Sequence, residues 1–144
     1  MKWVTRKQIR VNRTATAWLI QRFIDPKAEF FFVHPDEAGV FEKEKGAIGF
    51  DAPGTKYSHA KGPTSFEQLL VDYKLQDLIL KEMARIVHGA DITGQENLTP
   101  ESSGLRTISH GFPLVTQDDH ETLKKAFFVY DALYASLKER IEGH

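Results

Sequence analysis

The stretch "NRTATAWLIQRFIDPKAEFFFVH", residues 12–34, decides the fold. Its first part predicts a helix, because Asn12 is a good N-cap residue and apolar side chains then recur at four-residue spacing. Pro26 predicts that this helix ends at residue 24 or 25, since proline cannot continue it. The aromatic run "AEFFFVH" predicts a strand at the centre of a sheet, and "KWVT" near the start predicts another strand.

The same kind of pattern continues toward the C-terminus. A short strand is expected within "AIGFD", and the spacing of Thr64 and Glu67 predicts a capping box that opens a helix. "LQDLILKEMARIVHG" predicts a further helix that stops at Gly89, Pro100 opens the next one, and "DDHETLKKAFFVYDALYASLKERIE" is the longest. We therefore predict one mainly helical α+β domain over residues 1–144, with a small β-sheet.

Composition narrows the classes of function. The chain has no cysteine, which excludes disulfides, thiolate metal sites and cysteine nucleophiles. Its 19 Lys and Arg against 20 Asp and Glu give a net charge of −1, so direct nucleic-acid binding is not expected. The basic N-terminus lacks the apolar region of a secretory signal, and the apolar stretches are too short to span a bilayer. We expect a cytoplasmic protein without membrane contact, and the sequence leaves a homo-oligomer open.

Several ordered motifs point to a known family. They are "WVTR" near the start, "WLIQRFIDPKAEFFFV", "SHAKG" before "SFEQLL", "IVHGAD" and "FFVYDALYA". In that order they resemble the chromate-resistance domain family, whose domain also forms the C-terminal part of the chromate-responsive regulator ChrB. The resemblance covers nearly the whole chain, and it implies a role in chromate resistance or in chromate-dependent regulation without implying a particular reaction.

A transition-metal site built on nitrogen and oxygen is the first functional hypothesis. Without cysteine, a Zn, Fe, Mn, Ni or Co ion must be held by imidazole and carboxylate groups. If the helix that begins near Thr64 packs against the helix that ends near His88, the candidate ligands converge on one ion. These ligands are His59, Glu67, His88 and Asp91. The resemblance implies the same grouping, since similar positions in the family read His, Glu or Asp, His and Asp. An open site would support metal-assisted chemistry on a small polar or anionic molecule.

Each of these ligands also has a structural interpretation. Glu67 can serve only as the capping-box acid, His88 can interact with the C-terminus of its own helix, Asp91 can form an Asx turn, and His59 can be an exposed loop residue. His110 is expected to approach the same cavity. Asp131 interrupts an aromatic helix face, so it needs either a ligand histidine to support or an arginine to pair with.

An oxyanion site is the alternative hypothesis. Arg10 and Arg13 flank the predicted N-cap, and Arg22 lies farther along the same helix. A helix N-terminus with arginines suits chromate, sulfate or phosphate. Such a domain would be a non-catalytic sensor or binding module for an oxyanion. The arginines can instead pair with the many acids of the chain, and a scaffold without any small-molecule site remains a third interpretation.

Overall fold

Three parallel strands form the sheet of the computed structural model, which describes residues 1–58 and 62–143. The strands are β1 (Lys2–Arg6), β2 (Glu29–Val33) and β3 (Ile48–Gly49), and their order is β2-β1-β3. In the register, Trp3 of β1 stands opposite Phe30 of β2 and Ile48 of β3. The chain therefore runs from the centre of the sheet to one edge and then crosses to the other edge.

Six helices accompany this sheet in the described part of the chain, and the mainly helical α+β prediction is confirmed. Helix α1 continues into a π-helical turn at Ile20–Ile24, which ends just before Pro26 as predicted. No described helix combines the length and the apolar character that crossing a membrane requires. The helices are α1 (Val11–Leu19), α2 (Ala38–Lys45), α3 (Ser65–Asp72), α4 (Leu78–Asp91), α5 (Pro100–Gly111) and α6 (Asp119–Glu142).

The position of β2 corrects the sequence prediction, which placed this aromatic strand at the centre of the sheet. β1 is central, and β2 lies at an edge. The aromatic side chains of β2 are covered on both faces by helices rather than by neighbouring strands. Phe31 packs against Phe41 of α2, with ring centroids 5.1 Å apart, and Phe32 packs edge-on against His120 of α6 at 4.8 Å. The aromatic sequence of β2 indicated correctly that both faces of the strand are packed. It could not indicate which strands pair with each other.

The start of α1 is the second correction. The helix begins at Val11, so the N-cap position belongs to Arg10 and not to Asn12. Asn12 lies within the first turn with its side chain 1% exposed, and its Oδ1 accepts a hydrogen bond from Thr16. Because the predicted capping side chain points into the protein, the first turn of α1 has no side-chain cap among the described residues.

Gly89 is the third correction, since it does not end its helix. α4 continues to Asp91, and Gly89 lies against Ser102 of α5. A Cβ atom at this position would come 2.3 Å from the Ser102 hydroxyl oxygen and 2.8 Å from the Ser102 Cβ atom. The glycine therefore serves helix packing rather than helix termination.

Gly89→Ala should consequently destabilise the domain. We expect the free energy of unfolding to fall by about 1–3 kcal/mol, the usual effect of overpacking a tight contact. Gly104→Ala on α5 is the matched control, because nothing lies within 4 Å of its Cβ position and alanine favours helices by about 1 kcal/mol over glycine. Urea unfolding followed by circular dichroism measures both variants. Equal stabilities for the two variants would contradict the packing role.

The topology also indicates where a ligand would bind. β2 follows β1 on one side of the sheet, and β3 then pairs with β1 on its other side. In open parallel sheets, ligands bind outside the carboxyl ends of the strands at the point where the chain changes side. Here that point lies at the ends of β1 and β3, beside the N-terminus of α1.

Candidate functional site

A cavity of about 450 Å³ lies at this place. It is bounded by the N-terminus of α1, the loop after β3, the C-terminus of α4 and the C-terminal half of α5. Its volume falls within the range of small-molecule sites. The lining is unusually rich in charged and polar groups, and consists of Arg10, Val11, Asn12, Arg13, Asp51, Ala90, Asp91, Arg106, Thr107, Ser109 and His110.

Two of the three predicted anion-binding arginines, Arg10 and Arg13, line this cavity. They lie at the first turn of α1, which no described side chain caps. The first N–H groups of a helix have no acceptor within the helix, and they carry the positive end of its dipole. The exposed Arg10 and the half-buried Arg13 add their charges to that end of the helix.

The guanidinium of Arg13 is held in place by two of its three nitrogens. Nη1 donates to Asp51 Oδ2 at 3.0 Å, and Nη2 donates to the carbonyl oxygen of Gln8 at 2.8 Å. Burial lowers the pKa of Arg13 below its usual value, and the attraction of Asp51 opposes that effect without overcoming it. Two hydrogen bonds therefore orient the Arg13 guanidinium, and its burial opposes the Coulombic attraction of Asp51.

Two buried nitrogen donors that belong to residues lining the cavity have no hydrogen-bond partner among the described residues. They are Nε of Arg13 and Nδ2 of Asn12. Buried donors are almost always satisfied in native proteins, so each such exception requires an explanation. The Ser109 hydroxyl also lacks a hydrogen-bond partner in the described part of the chain, but it lies near enough to the Tyr130 hydroxyl to lower the pKa of that tyrosine. The two nitrogen donors are therefore the buried groups whose missing acceptor requires an explanation.

Helix α5 contributes residues that the sequence analysis did not select. Arg106 donates from Nη1 to the carbonyl oxygen of Ala90 at 3.1 Å and thereby joins α5 to the end of α4. His110 lies one turn beyond Arg106, and both line the cavity with Asp91. The four-residue spacing of Arg106 and His110 puts them on one helix face. Because His110 was expected near the cavity, this spacing could have predicted Arg106 there as well. Asp51 had no comparable signal, because its place depends on how the loop after β3 folds.

Arg22 and Asp131 lie at another place. Arg22 binds the Asp131 carboxylate with two hydrogen bonds of 3.0 Å, and Trp18 Nε1 donates to the same carboxylate at 2.8 Å. The hydrogen bond from Arg22, together with that from Trp18, lowers the pKa of Asp131. Asp131 thus has the arginine partner that the sequence analysis offered as one alternative. Arg22 does not line the cavity that holds Arg10 and Arg13.

The predicted metal ligands are only partly brought together. His88 Nδ1 lies 2.8 Å from Glu67 Oε1, and the same oxygen accepts the Thr64 backbone N–H of the capping box. Asp91 lies one turn after His88 and lines the cavity, while His59 lies outside the described residues. Within residues 1–58 and 62–143, no three His, Asp or Glu side chains are placed to hold a metal ion. The four-ligand site stays a prediction.

Comparison with known proteins identifies the family. The family model described as "ChrB, C-terminal domain" matches residues 3–137. Protein ChrB of Cupriavidus metallidurans is 35% identical over an alignment 136 residues long, and the alignment covers 92% of this chain and 40% of that protein. The chain therefore spans less than half the length of this relative. No solved structure gives a significant match. The resemblance drawn from the sequence motifs is confirmed, and the chain belongs to the ChrB C-terminal domain family.

Proposed function

We propose that this domain binds a small tetrahedral oxyanion of the chromate class in the cavity at the N-terminus of α1, as a sensing or binding module. The observation that carries the proposal is the pair of buried donors without an acceptor, Arg13 Nε and Asn12 Nδ2, on two neighbouring residues that line the cavity. Chromate is the proposed ligand because the sequence motifs resemble those of chromate-resistance domains, and because the family bears the name ChrB.

The chemistry of the donors favours an anion. Amide and guanidinium N–H groups only donate, so a ligand that satisfies both must present acceptors. An oxyanion presents several acceptor oxygens at fixed angles, and hydrogen bonds from guanidinium to such oxygens are about twice as strong as neutral ones. The uncapped first turn of α1 adds the positive helix end.

Isothermal titration with chromate at constant ionic strength tests the proposal. We expect saturable binding to the whole chain. Arg10→Ala should weaken it about tenfold or more, since a hydrogen bond to a charged group contributes about 1.5–3 kcal/mol. Lys7→Ala is the matched control, because Lys7 is an exposed cation in the same loop that does not line the cavity.

Salt screening should keep the effect of Lys7→Ala within about twofold. Two results would overturn the proposal: the absence of saturable chromate binding, or equal losses in the Arg10 and Lys7 variants, which would indicate only non-specific attraction to a basic loop.

A transition-metal site is the second candidate function, and the contact between Glu67 and His88 favours it. These two residues supply an oxygen and a nitrogen ligand, whereas zinc-type sites take three or four protein ligands. Asp91 and His59 would have to complete the set. The described residues alone do not provide a complete site, and no chemical step through a metal follows from them.

Elemental analysis of protein purified without added metal tests this candidate. A metal site predicts a near-stoichiometric transition metal that is lost in His88→Ala. It also predicts that the metal is retained in His120→Ala, whose imidazole packs on Phe32 instead. Metal-free protein, or equal metal contents in the two variants, would eliminate the candidate.

A further inference from the structure

We propose that Asp119, in the first turn of α6, is a positioning residue of the oxyanion site. It holds the loop of residues 7–10 in the conformation that places Arg10 and Arg13 at the cavity. This inference rests on the proposed oxyanion site and adds to it a residue that acts through the backbone of the loop. Asp119 itself is not among the described residues that line the cavity.

Both oxygens of the Asp119 carboxylate accept hydrogen bonds from the backbone of this loop. Oδ2 accepts from the Gln8 N–H at 3.1 Å, and Oδ1 accepts from the Ile9 N–H at 3.0 Å. The Lys7 N–H donates to the carbonyl oxygen of Val33, at the end of β2, at 2.9 Å. Three successive N–H groups of the loop therefore have acceptors on elements distant in sequence, and one carboxylate supplies two of those acceptors.

The backbone of Gln8 needs this support. Its φ is 62°, in the left-handed region that disfavours a residue with a side chain by roughly tenfold in population. Gln8 is exposed, so packing of its side chain contributes little to holding this conformation. Successive N–H groups beside a left-handed residue can form a concave nest for an anion, and here the carboxylate of Asp119 is that anion.

The conformation of Gln8 bears directly on both arginines. Its carbonyl oxygen accepts from Arg13 Nη2 at 2.8 Å, and the loop that contains it ends at Arg10, the N-cap residue of α1. Asp51, which accepts from Nη1 of Arg13, also has a positive φ, of 47°. Left-handed backbone outside glycine persists where the surrounding structure enforces it, and it clusters at functional sites. Asp119 supplies that enforcement for Gln8.

Titration with chromate at constant ionic strength compares Asp119→Ala with Asp118→Ala, at a temperature at which circular dichroism shows both to be folded. We expect Asp119→Ala to bind about tenfold more weakly, because the apparent affinity falls with the fraction of loops in the binding conformation. Asp118→Ala is the matched control. It removes the same charge from the same end of α6, but its side chain accepts from Glu121 within the helix, at 2.8 Å. Its affinity should stay within about twofold of the wild type.

Gln8→Asn separates positioning from a general effect on stability. Asparagine occupies positive φ more readily than glutamine, so adding Gln8→Asn to Asp119→Ala should recover chromate affinity by about threefold or more. In the wild-type background the same substitution should change the affinity by less than about twofold, because Asp119 already holds the loop. Hydrogen exchange of the backbone amides of residues 8 and 9 should be faster in Asp119→Ala than in Asp118→Ala.

The outcomes separate the two claims. If the wild-type protein binds no chromate, the proposed function fails and the positioning role fails with it. If the wild type binds chromate but Asp119→Ala binds as Asp118→Ala does, or if Gln8→Asn recovers no affinity, the oxyanion site stands and the role of Asp119 is overturned. Asp119→Asn decides the question where Asp119→Ala does not fold. It keeps one carbonyl acceptor and should bind chromate about threefold more weakly, and an unchanged affinity would overturn the role.

Discussion

Replacing Trp18 by alanine is expected to lower the free energy of unfolding by about 3–5 kcal/mol, the usual effect of truncating a fully buried large aromatic side chain. Trp18 is 1% exposed and joins α1 to α6. Its ring packs against Tyr130 and Tyr134, with centroids 6.2 and 5.9 Å away, and its Nε1 donates to Asp131. The substitution removes all of these contacts and leaves a cavity between α1 and α6 that the surrounding structure closes only in part.

Chemical denaturation followed by far-ultraviolet circular dichroism measures this effect without relying on tryptophan fluorescence. Phe128→Ala is the matched control, because Phe128 also lies on α6 but is 76% exposed, and its loss should change stability by less than about 0.5 kcal/mol. A Trp18→Ala variant as stable as Phe128→Ala would contradict the assignment of Trp18 to the α1–α6 contact.

The contact between α1 and α6 also positions the residues of the candidate site. Further toward the N-terminus of α1, the Tyr130 hydroxyl lies 2.7 Å from Thr14 Oγ1 and 3.3 Å from the carbonyl oxygen of Val11. Burial raises the pKa of Tyr130 to about 12, so its hydroxyl stays protonated and available as a donor at neutral pH. α6 thereby fixes the first turn of α1, from which Arg10 and Arg13 face the cavity.

The elements of the fold could be predicted wherever a local interaction determines them. The capping box of Thr64 and Glu67 and the end of the first helix before Pro26 are confirmed. Such signals depend on residues within one turn of each other, so the sequence displays them directly. The central position of β1 could not be read in this way, because strand order depends on pairings between distant segments.

The candidate site was less predictable for the same reason. Arg10 and Arg13 were selected because they flank a helix start, which is a local feature. Asp51 and Arg106 were missed, because they reach the cavity only through the packing of the loop after β3 and of α5. Gly89 shows the ambiguity most clearly: a glycine near a helix end looks the same in sequence whether it stops the helix or admits a neighbouring one.

Replacing Arg13 by methionine is expected to reduce the free energy of unfolding by about 3 kcal/mol and to abolish chromate binding. Methionine keeps the apolar stem but leaves the Asp51 carboxylate, 6% exposed, with Arg6 at 3.7 Å as its remaining ion-pair partner among the described residues. Removing one partner of a buried ion pair typically costs about 3–5 kcal/mol, and the remaining attraction of Arg6 places this variant at the lower end.

The double variant Arg13→Met with Asp51→Asn separates stability from binding. Asparagine removes the uncompensated charge and tolerates the positive φ of 47° at position 51, so about half of the lost stability or more should return. Chromate binding should not return, because the Nε donor is still missing. Denaturation and titration on the same three proteins measure both quantities, and recovery of binding in the double variant would contradict the role of Arg13. Replacing a buried ion pair by uncharged residues often leaves stability unchanged, so recovery of stability without recovery of chromate binding would support an anion-binding role for Arg13.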